Sequence, residues 1–245
     1  MQAAGGRGYR QELCPAGMVS FTVAVKETDL WIAVDRQALT PDLPGKLESF
    51  IWRQRRLLEA YIEADPVFAQ TLQPHLVGAA APPLALEMAR AGNLAGVGPM
   101  AAVAGAFAQR AGEWLLQFSR AVIVENGGDI FLRCSRPVTV GVLAGDAFPG
   151  QKLAVRVRPR AGLCGVCTSS GTKGHSYSRG RADAAVILAD AAALADAVAT
   201  AAANMVRRPA DLEGALRFVR KIPGIKGALL VLADKIAAWG QVELA

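Results

Sequence analysis

The segment ADAAALADAVATAAANMV, residues 189–206, restricts the possible folds of this chain more than any other stretch. Alanine occupies nearly every side of the helix it predicts, so most of its surface is unsuited to water. Such a helix has to be packed all round, which calls for further layers of structure about it. It is not a membrane span, because Asp183, Asp190 and Asp196 interrupt the longest apolar stretch, Ala182 to Val206. Asp196, Thr200 and Asn204 recur at i, i+4 and i+8 and form one polar stripe. A carboxylate among alanines is expensive to bury without a partner. A hard cation such as Mg²⁺, which prefers carboxylate, hydroxyl and water oxygens, is one such partner. The plainer alternative is a stripe that faces solvent.

The remaining elements follow from periodicity. Met18 to Val25 and Leu30 to Val34 alternate like strands about a Glu27-Thr28-Asp29 turn and predict a hairpin. A long amphipathic helix follows from about Leu47 to Ile62, with Arg53, Arg55 and Arg56 on its solvated face. Two more helices are predicted, Leu84 to Ala91 and Pro99 to Phe118. Arg120 to Val124 and Ile130 to Cys134 read as strands about Gly127-Gly128, followed by strands over VTVGVL and Leu153 to Val157. Cys164 to Arg181 reads as a Gly/Ser/basic loop. A strand over Ala184 to Leu188, the alanine helix, a helix from Asp211 to Lys221 and a final hairpin (Leu229 to Leu232, Ala237 to Leu244) complete the chain.

In order, this is strand-strand-helix-helix-strand-strand twice over, with one extra strand between. The expected class is α+β: a tandem duplication of a ββααββ unit, with antiparallel sheets covered by helices. The first half would span residues 1–135 and the second 136–245, together forming one two-lobed body.

Charge and composition narrow the partners. Lys and Arg number 27 against 21 Asp and Glu, a net charge of +6, which favours anionic ligands such as phosphorylated nucleotides. Nucleic acid is disfavoured, because aromatic residues make up only 6% and leave few stacking platforms. Cys14, Cys134, Cys164 and Cys167 are too few and too irregular for a disulfide framework. Arg7 and Arg10 lead into Glu12, Pro15 and Gly17 rather than an apolar signal core. A cytoplasmic, reduced protein with no membrane association is expected, and a homo-oligomer is compatible with the sequence.

Three further segments carry candidate chemistry. GVGPMA, from Gly96, offers a G-x-G-x-x-A pattern whose N–H groups would suit a phosphate, but helical sequence precedes it where a dinucleotide fold requires a strand. A glycine hinge between two helices is the simpler account. VENGGDI, 124–130, is a hairpin signal flanked by acids and an asparagine that would suit a base, ribose or metal. CGVCTSSGTKGHSYSRGR, 164–181, is rich in hydroxyls and cations suited to a phosphate, with Arg156, Arg158 and Arg160 alternating on the preceding strand. A zinc or redox role for Cys164 and Cys167 lacks support: no helix start follows, and nothing shows Cys14, Cys134 or His175 converging there.

VENGGDI, CTSSG and ADAVATAAAN occur in the order, and at about the spacing, of the signature segments of the FAD:protein FMN transferases. The chain resembles that family, the ApbE family, from about Ala95 onward, and is most similar to its short branch in which GVGPMAA is typical. The resemblance implies a tandem T-fold, FAD between the halves, and Mg²⁺ near the pyrophosphate. It assigns the metal to Asp196 and Thr200. The flavin nucleotide falls to Gly127, Gly128 and Asp129, and to Thr168, Ser169, Ser170, Gly171 and His175. It names no catalytic residue for this chain and leaves the acceptor protein unknown. Glu125 stands where the family has asparagine, Val103 to Ala106 replace its Lys-Gly-Tyr element, and the expected Asp-Pro stretch after the histidine is absent. Two functions follow: a flavin transferase or FAD pyrophosphate-cleaving enzyme, or a module that binds a flavin or nucleotide without cleaving it.

Overall fold

The computed structural model describes residues 14–142, 153–158, 164–170 and 180–245. Strands β1 (Met18–Val25) and β2 (Thr28–Asp35) form the first hairpin, and α1 (Leu43–Ala64), α2 (Pro66–Gln70), α3 (Pro83–Ala95) and α4 (Val103–Leu115) follow. The chain then forms β3 (Val122–Asn126), β4 (Asp129–Arg133), β5 (Val138–Val142), β6 (Leu153–Val157), β7 (Cys164–Ser169) and β8 (Ala184–Ala189). Helices α5 (Ala192–Met205) and α6 (Leu212–Arg220) precede β9 (Ile225–Leu232), β10 (Lys235–Gly240) and β11 (Glu243–Leu244).

One antiparallel sheet runs β1-β2-β3-β4-β7-β8-β9-β10, and a second runs β11-β6-β5. The predicted α+β class is therefore the observed one. The order ββ-helices-ββ occurs on either side of the β4–β7 pair, so both sets of four strands belong to a single sheet.

Burial of both faces explains why the central strands are apolar at nearly every position. On β2, Leu30, Ile32 and Val34 enter the core shared with the helices, while Trp31 and Ala33 enter the opposite core. Val138, Val140, Val142, Val155 and Val157 close that second core from the small sheet. The alanine helix α5 lies in the first core, with twelve of its residues buried. Among the described residues, no single helix is long and apolar enough to cross a membrane.

Two expectations fail on sheet assignment. Cys164–Ser169 is not loop but strand β7, paired with β4 on one side and β8 on the other. Leu153–Val157 is a strand, yet it belongs to the small sheet, and β7 takes its place in the repeated order. The last hairpin also ends early. After Gly240 the chain turns, and Glu243–Leu244 pairs with β6.

The arginines of α1 differ from a simple solvated face. The Arg55 side chain is only 14% exposed and joins Glu27, Thr28 and Glu59, which ties α1 to the first hairpin turn. Arg53 and Arg56 lie over the rings of Phe50 and Trp52. The Gly96 segment is the expected hinge: α3 ends with Gly96 in the left-handed region, and Pro99 opens a short 3-10 turn before α4.

Candidate functional site

The candidate site forms where α4, α5 and the β3–β4 turn meet. α5 begins after Ala191, which has no side-chain acceptor to cap it, and α4 begins after Ala102, with the same deficiency. Each helix is served by the other. Gln109 of α4 accepts at Oε1 from the N–H groups of Ala192 (2.8 Å) and Ala193 (3.4 Å). Asp196 of α5 accepts at Oδ2 from the Gly105 N–H at 2.8 Å, and the Ala104 N–H also supports its charge. Gly105 is required by close approach: a Cβ there would sit 2.4 Å from the Ala192 carbonyl oxygen and 2.8 Å from Asp196 Cβ.

The predicted polar stripe is present but does not face water. Asp196 and Thr200 are each 8% exposed, one turn apart, which removes the solvent-facing alternative. Asn204 is only partly buried.

Gly127 and Gly128 form the turn between β3 and β4 with φ of +66° and +106°, a conformation that side-chain-bearing residues resist. Glu125, fully buried, accepts from the Gly128 N–H at 2.7 Å. Asn126 donates from Nδ2 to the Ala104 carbonyl at 3.1 Å, fastening the turn to the start of α4. Glu125 thus serves the turn itself.

Asp129 begins β4 opposite Cys167 of β7, so the two share a face of the sheet. The Cys167 thiol lies between the Ala192 carbonyl, 3.3 Å away, and the Asp129 carboxylate, and has one proton to give. Ser169, two residues further along β7, is 4% exposed, and its buried hydroxyl has no hydrogen-bond partner among the described residues. Thr168 and Ser170 are half-buried. Gly171 and His175 lie outside the described residues.

Burial dominates the electrostatics. It pushes Asp196 up to about 7, against the downward pull of the Gly105 and Ala104 N–H groups. Asp129 is pushed well above the ordinary carboxylate range, first by burial and then by the Asp196 charge; the Cys167 thiol and the Thr168 N–H oppose this. Burial, then the charges of Asp129 and Asp196, raise the Cys167 thiol far above its usual range. That thiol is held protonated, which suits neither a nucleophile nor a zinc ligand.

Two acids held at high pKa, with an unpartnered hydroxyl nearby, are the surroundings in which a cation removes a cost. Among the described residues no three His, Cys, Asp or Glu side chains form a metal-holding group. The donor set nevertheless fits Mg²⁺, which takes one or two carboxylates and completes its shell with water and phosphate oxygens. Asp196 has a second oxygen beyond the one used by Gly105, and Thr200 follows on the same face. The basic strand expected to add positive potential does not serve this site. Arg158 makes a two-point ion pair with Glu243 (2.7 and 3.1 Å), and Arg156 also approaches Glu243, both in the small sheet. Arg160 lies outside the described residues.

A family model described as AbpE bacteria matches residues 11–238. The chain belongs to this ApbE-like family. A UPF0280 protein from Methanosarcina barkeri is 42% identical over 220 residues, covering 89% of this chain and 85% of that protein. Another from Methanocella arvoryzae is 41% identical, covering 89% and 87%. A flavin transferase ApbE from Vibrio cholerae has a similar fold, with a TM-score of 0.58 over 92% of this chain and 98% of its own, at 14% identity. So does the flavinyl transferase ApbE of Pseudomonas stutzeri in its apo form, with a TM-score of 0.58 and 14% identity over 91% and 94%.

Gln109 and Gly105 were not candidates from sequence, and Cys167 was weighed only for a redox or zinc role. The one local signal was a polar residue, Gln109, one turn after Gly105 on a helix that begins with small residues.

Proposed function

We propose that this ApbE-like chain is a flavin transferase that takes FAD, or a closely related nucleotide, together with Mg²⁺ at the junction of its two halves, 1–135 and 136–245. The observation that carries the proposal is the buried Asp196–Thr200 pair facing the Asp129 end of β4. Asp196 and Thr200 would hold the metal, which when bound neutralises the pyrophosphate and polarises its oxygens. Gly127, Gly128 and Asp129 would line the nucleotide on one side, and Thr168 to Gly171 on the other. The Ser169 hydroxyl, buried and without a partner among the described residues, is the group there most in need of an acceptor or donor from a ligand.

The protein's own contribution is positional and electrostatic. The turn fastened by Glu125 and Asn126 fixes the start of β4, and the Gly105 N–H fixes one Asp196 oxygen. Burial excludes bulk water from the two carboxylates. The alternative, a module that binds flavin without cleaving it, is separated by product analysis. Protein incubated with FAD and Mg²⁺ is followed by chromatography of the nucleotides. Mg²⁺-dependent release of AMP together with FMN, water taking the place of the acceptor protein, supports a site that cleaves the FAD pyrophosphate; FAD recovered intact but bound supports the module. Absence of any flavin binding contradicts both.

A further inference from the structure

The two hydrogen-bonded contacts between α4 and α5 form a ladder. Residue 105 meets 196 and residue 109 meets 192, so four residues on one helix match four on the other in the opposite direction. Four residues advance an α-helix by about 6 Å, slightly more than one turn, so the two rungs keep in step only in this register. Neither helix has an acceptor at its own start, where Ala102 and Ala191 stand. α5 therefore takes the acceptor for its first two N–H groups from α4, and α4, whose Val103 N–H bonds the Met100 carbonyl, takes that for Ala104 and Gly105 from α5.

We propose that Gln109 is a positioning residue for Asp196. By capping α5 from α4, it fixes the register in which the Asp196 carboxylate meets the N–H groups at the start of α4. The inference rests on the reading of Asp196 as a metal ligand for its functional consequence, though not for the contact itself. Gln109 is in turn oriented. Its Nε2 donates to Glu113 Oε1 at 3.1 Å, and Arg110 holds the other Glu113 oxygen at 3.3 Å. With the amide nitrogen committed to Glu113, the amide oxygen is the atom presented to α5. The ladder leaves no room for error, because the Gly105 backbone packs directly on Ala192.

Two variants of the full chain test this. Gln109→Met keeps the length and removes the acceptor. The double variant Gln109→Glu/Glu113→Gln exchanges the two groups, so that the acceptor for α5 and the donor-acceptor pair within α4 are both kept. The first readout is amide hydrogen exchange at Gly105, compared with Gly112 further along the same helix. The second is Mn²⁺ binding without flavin, followed by loss of the free-ion electron paramagnetic resonance signal.

Gln109→Met should speed exchange at Gly105 by about tenfold while changing Gly112 less than about twofold, since only local opening is involved. Mn²⁺ affinity should fall by about tenfold, and the exchanged pair should return both readouts to within about threefold of wild type. Unchanged exchange at Gly105 in Gln109→Met would overturn the proposal. So would a loss of Mn²⁺ affinity that the exchanged pair does not restore, which would mark Gln109 as a packing residue only. If wild type binds no Mn²⁺ but Gly105 exchange responds and is rescued, the positioning stands and the metal assignment is what fails. Should Gln109→Met not fold, Gln109→Asn, one methylene shorter, replaces it with the same outcomes.

Discussion

Gly105→Ala puts the packing of α4 on α5 to a quantitative test. On an exposed helix the change would stabilise by up to about 1 kcal/mol, because alanine is the better helix former. Here the added methyl would stand 2.4 Å from the Ala192 carbonyl oxygen and 2.8 Å from both its carbon and Asp196 Cβ. Two of these three neighbours are backbone atoms of a helix packed all round, so relief requires α4 and α5 to separate. Overpacking of this kind costs about 1–3 kcal/mol. Stretching the Gly105–Asp196 hydrogen bond, one partner of which is charged, adds about 1–2 kcal/mol. After the helix-propensity gain, the net destabilisation is about 1–4 kcal/mol, or a fall in Tm of roughly 2–16 °C for a chain of this size. The control is Gly214→Ala in α6, where a methyl meets nothing within 4 Å. It should stabilise by a few tenths to about 1 kcal/mol. Urea unfolding of both variants, with unchanged m-values, measures the difference. If Gly105→Ala lies within about 0.5 kcal/mol of wild type, or stabilises as Gly214→Ala does, the close approach of the two helices is wrong.

Glu87, pushed up to about 7 by burial and then by the Glu113 charge, penalises the folded state as pH rises from 4.5 through 7. Glu87→Gln should therefore leave stability unchanged below pH 4 and raise it by about 1–2 kcal/mol at pH 8, as pH-dependent urea unfolding would reveal; equal effects at both pH values would contradict this. Arg158→Ala breaks an ion pair between two exposed side chains, so it should cost less than about 1 kcal/mol and leave nucleotide binding intact; a tenfold loss of FAD affinity in titrations would restore the arginines to the site. In the native chain, alkylation followed by peptide mass spectrometry should spare Cys167, buried and held protonated; labelling of Cys167 as fast as of Cys14 would refute its burial.

Most of the fold is legible locally, because the strands and helices that form it carry their own period. The hairpin at Met18, the amphipathic α1 and the alanine helix each show it in a dozen or so residues. β7 does not. CGVCTS has the small residues and hydroxyls of a loop, and its strand character comes from β4 and β8 on either side, which are distant in sequence. The same non-locality put Leu153–Val157 in the wrong sheet: periodicity identifies a strand without naming its partners. In the site, the Asp196–Thr200 stripe is legible from helical spacing, and the Gly127-Gly128 turn from its dipeptide. What encloses them is not legible. Gln109 capping α5, Gly105 meeting Asp196 and Cys167 lying beside Asp129 are contacts across 38 to 91 residues of chain. No spacing rule reaches that far. The arginines of β6 show the converse, since alternation placed Arg156 and Arg158 on one face but gave no sign that Glu243 neutralises it.

On the proposed function, a divalent cation held by Asp196 and Thr200 would join a flavin nucleotide to this chain. Calorimetric titration with FAD, with and without Mg²⁺, tests it on wild type, Asp196→Asn and Thr200→Val. Wild-type binding should strengthen at least about tenfold with Mg²⁺, which is about 1.4 kcal/mol. Asp196→Asn should lose that Mg²⁺ dependence while remaining folded, because the amide oxygen can still accept from Gly105. Thr200→Val should lose less, since a neutral hydroxyl is a weaker ligand than a carboxylate. Wild-type FAD binding that ignores Mg²⁺, or an Asp196→Asn variant as responsive to the metal as wild type, would contradict it.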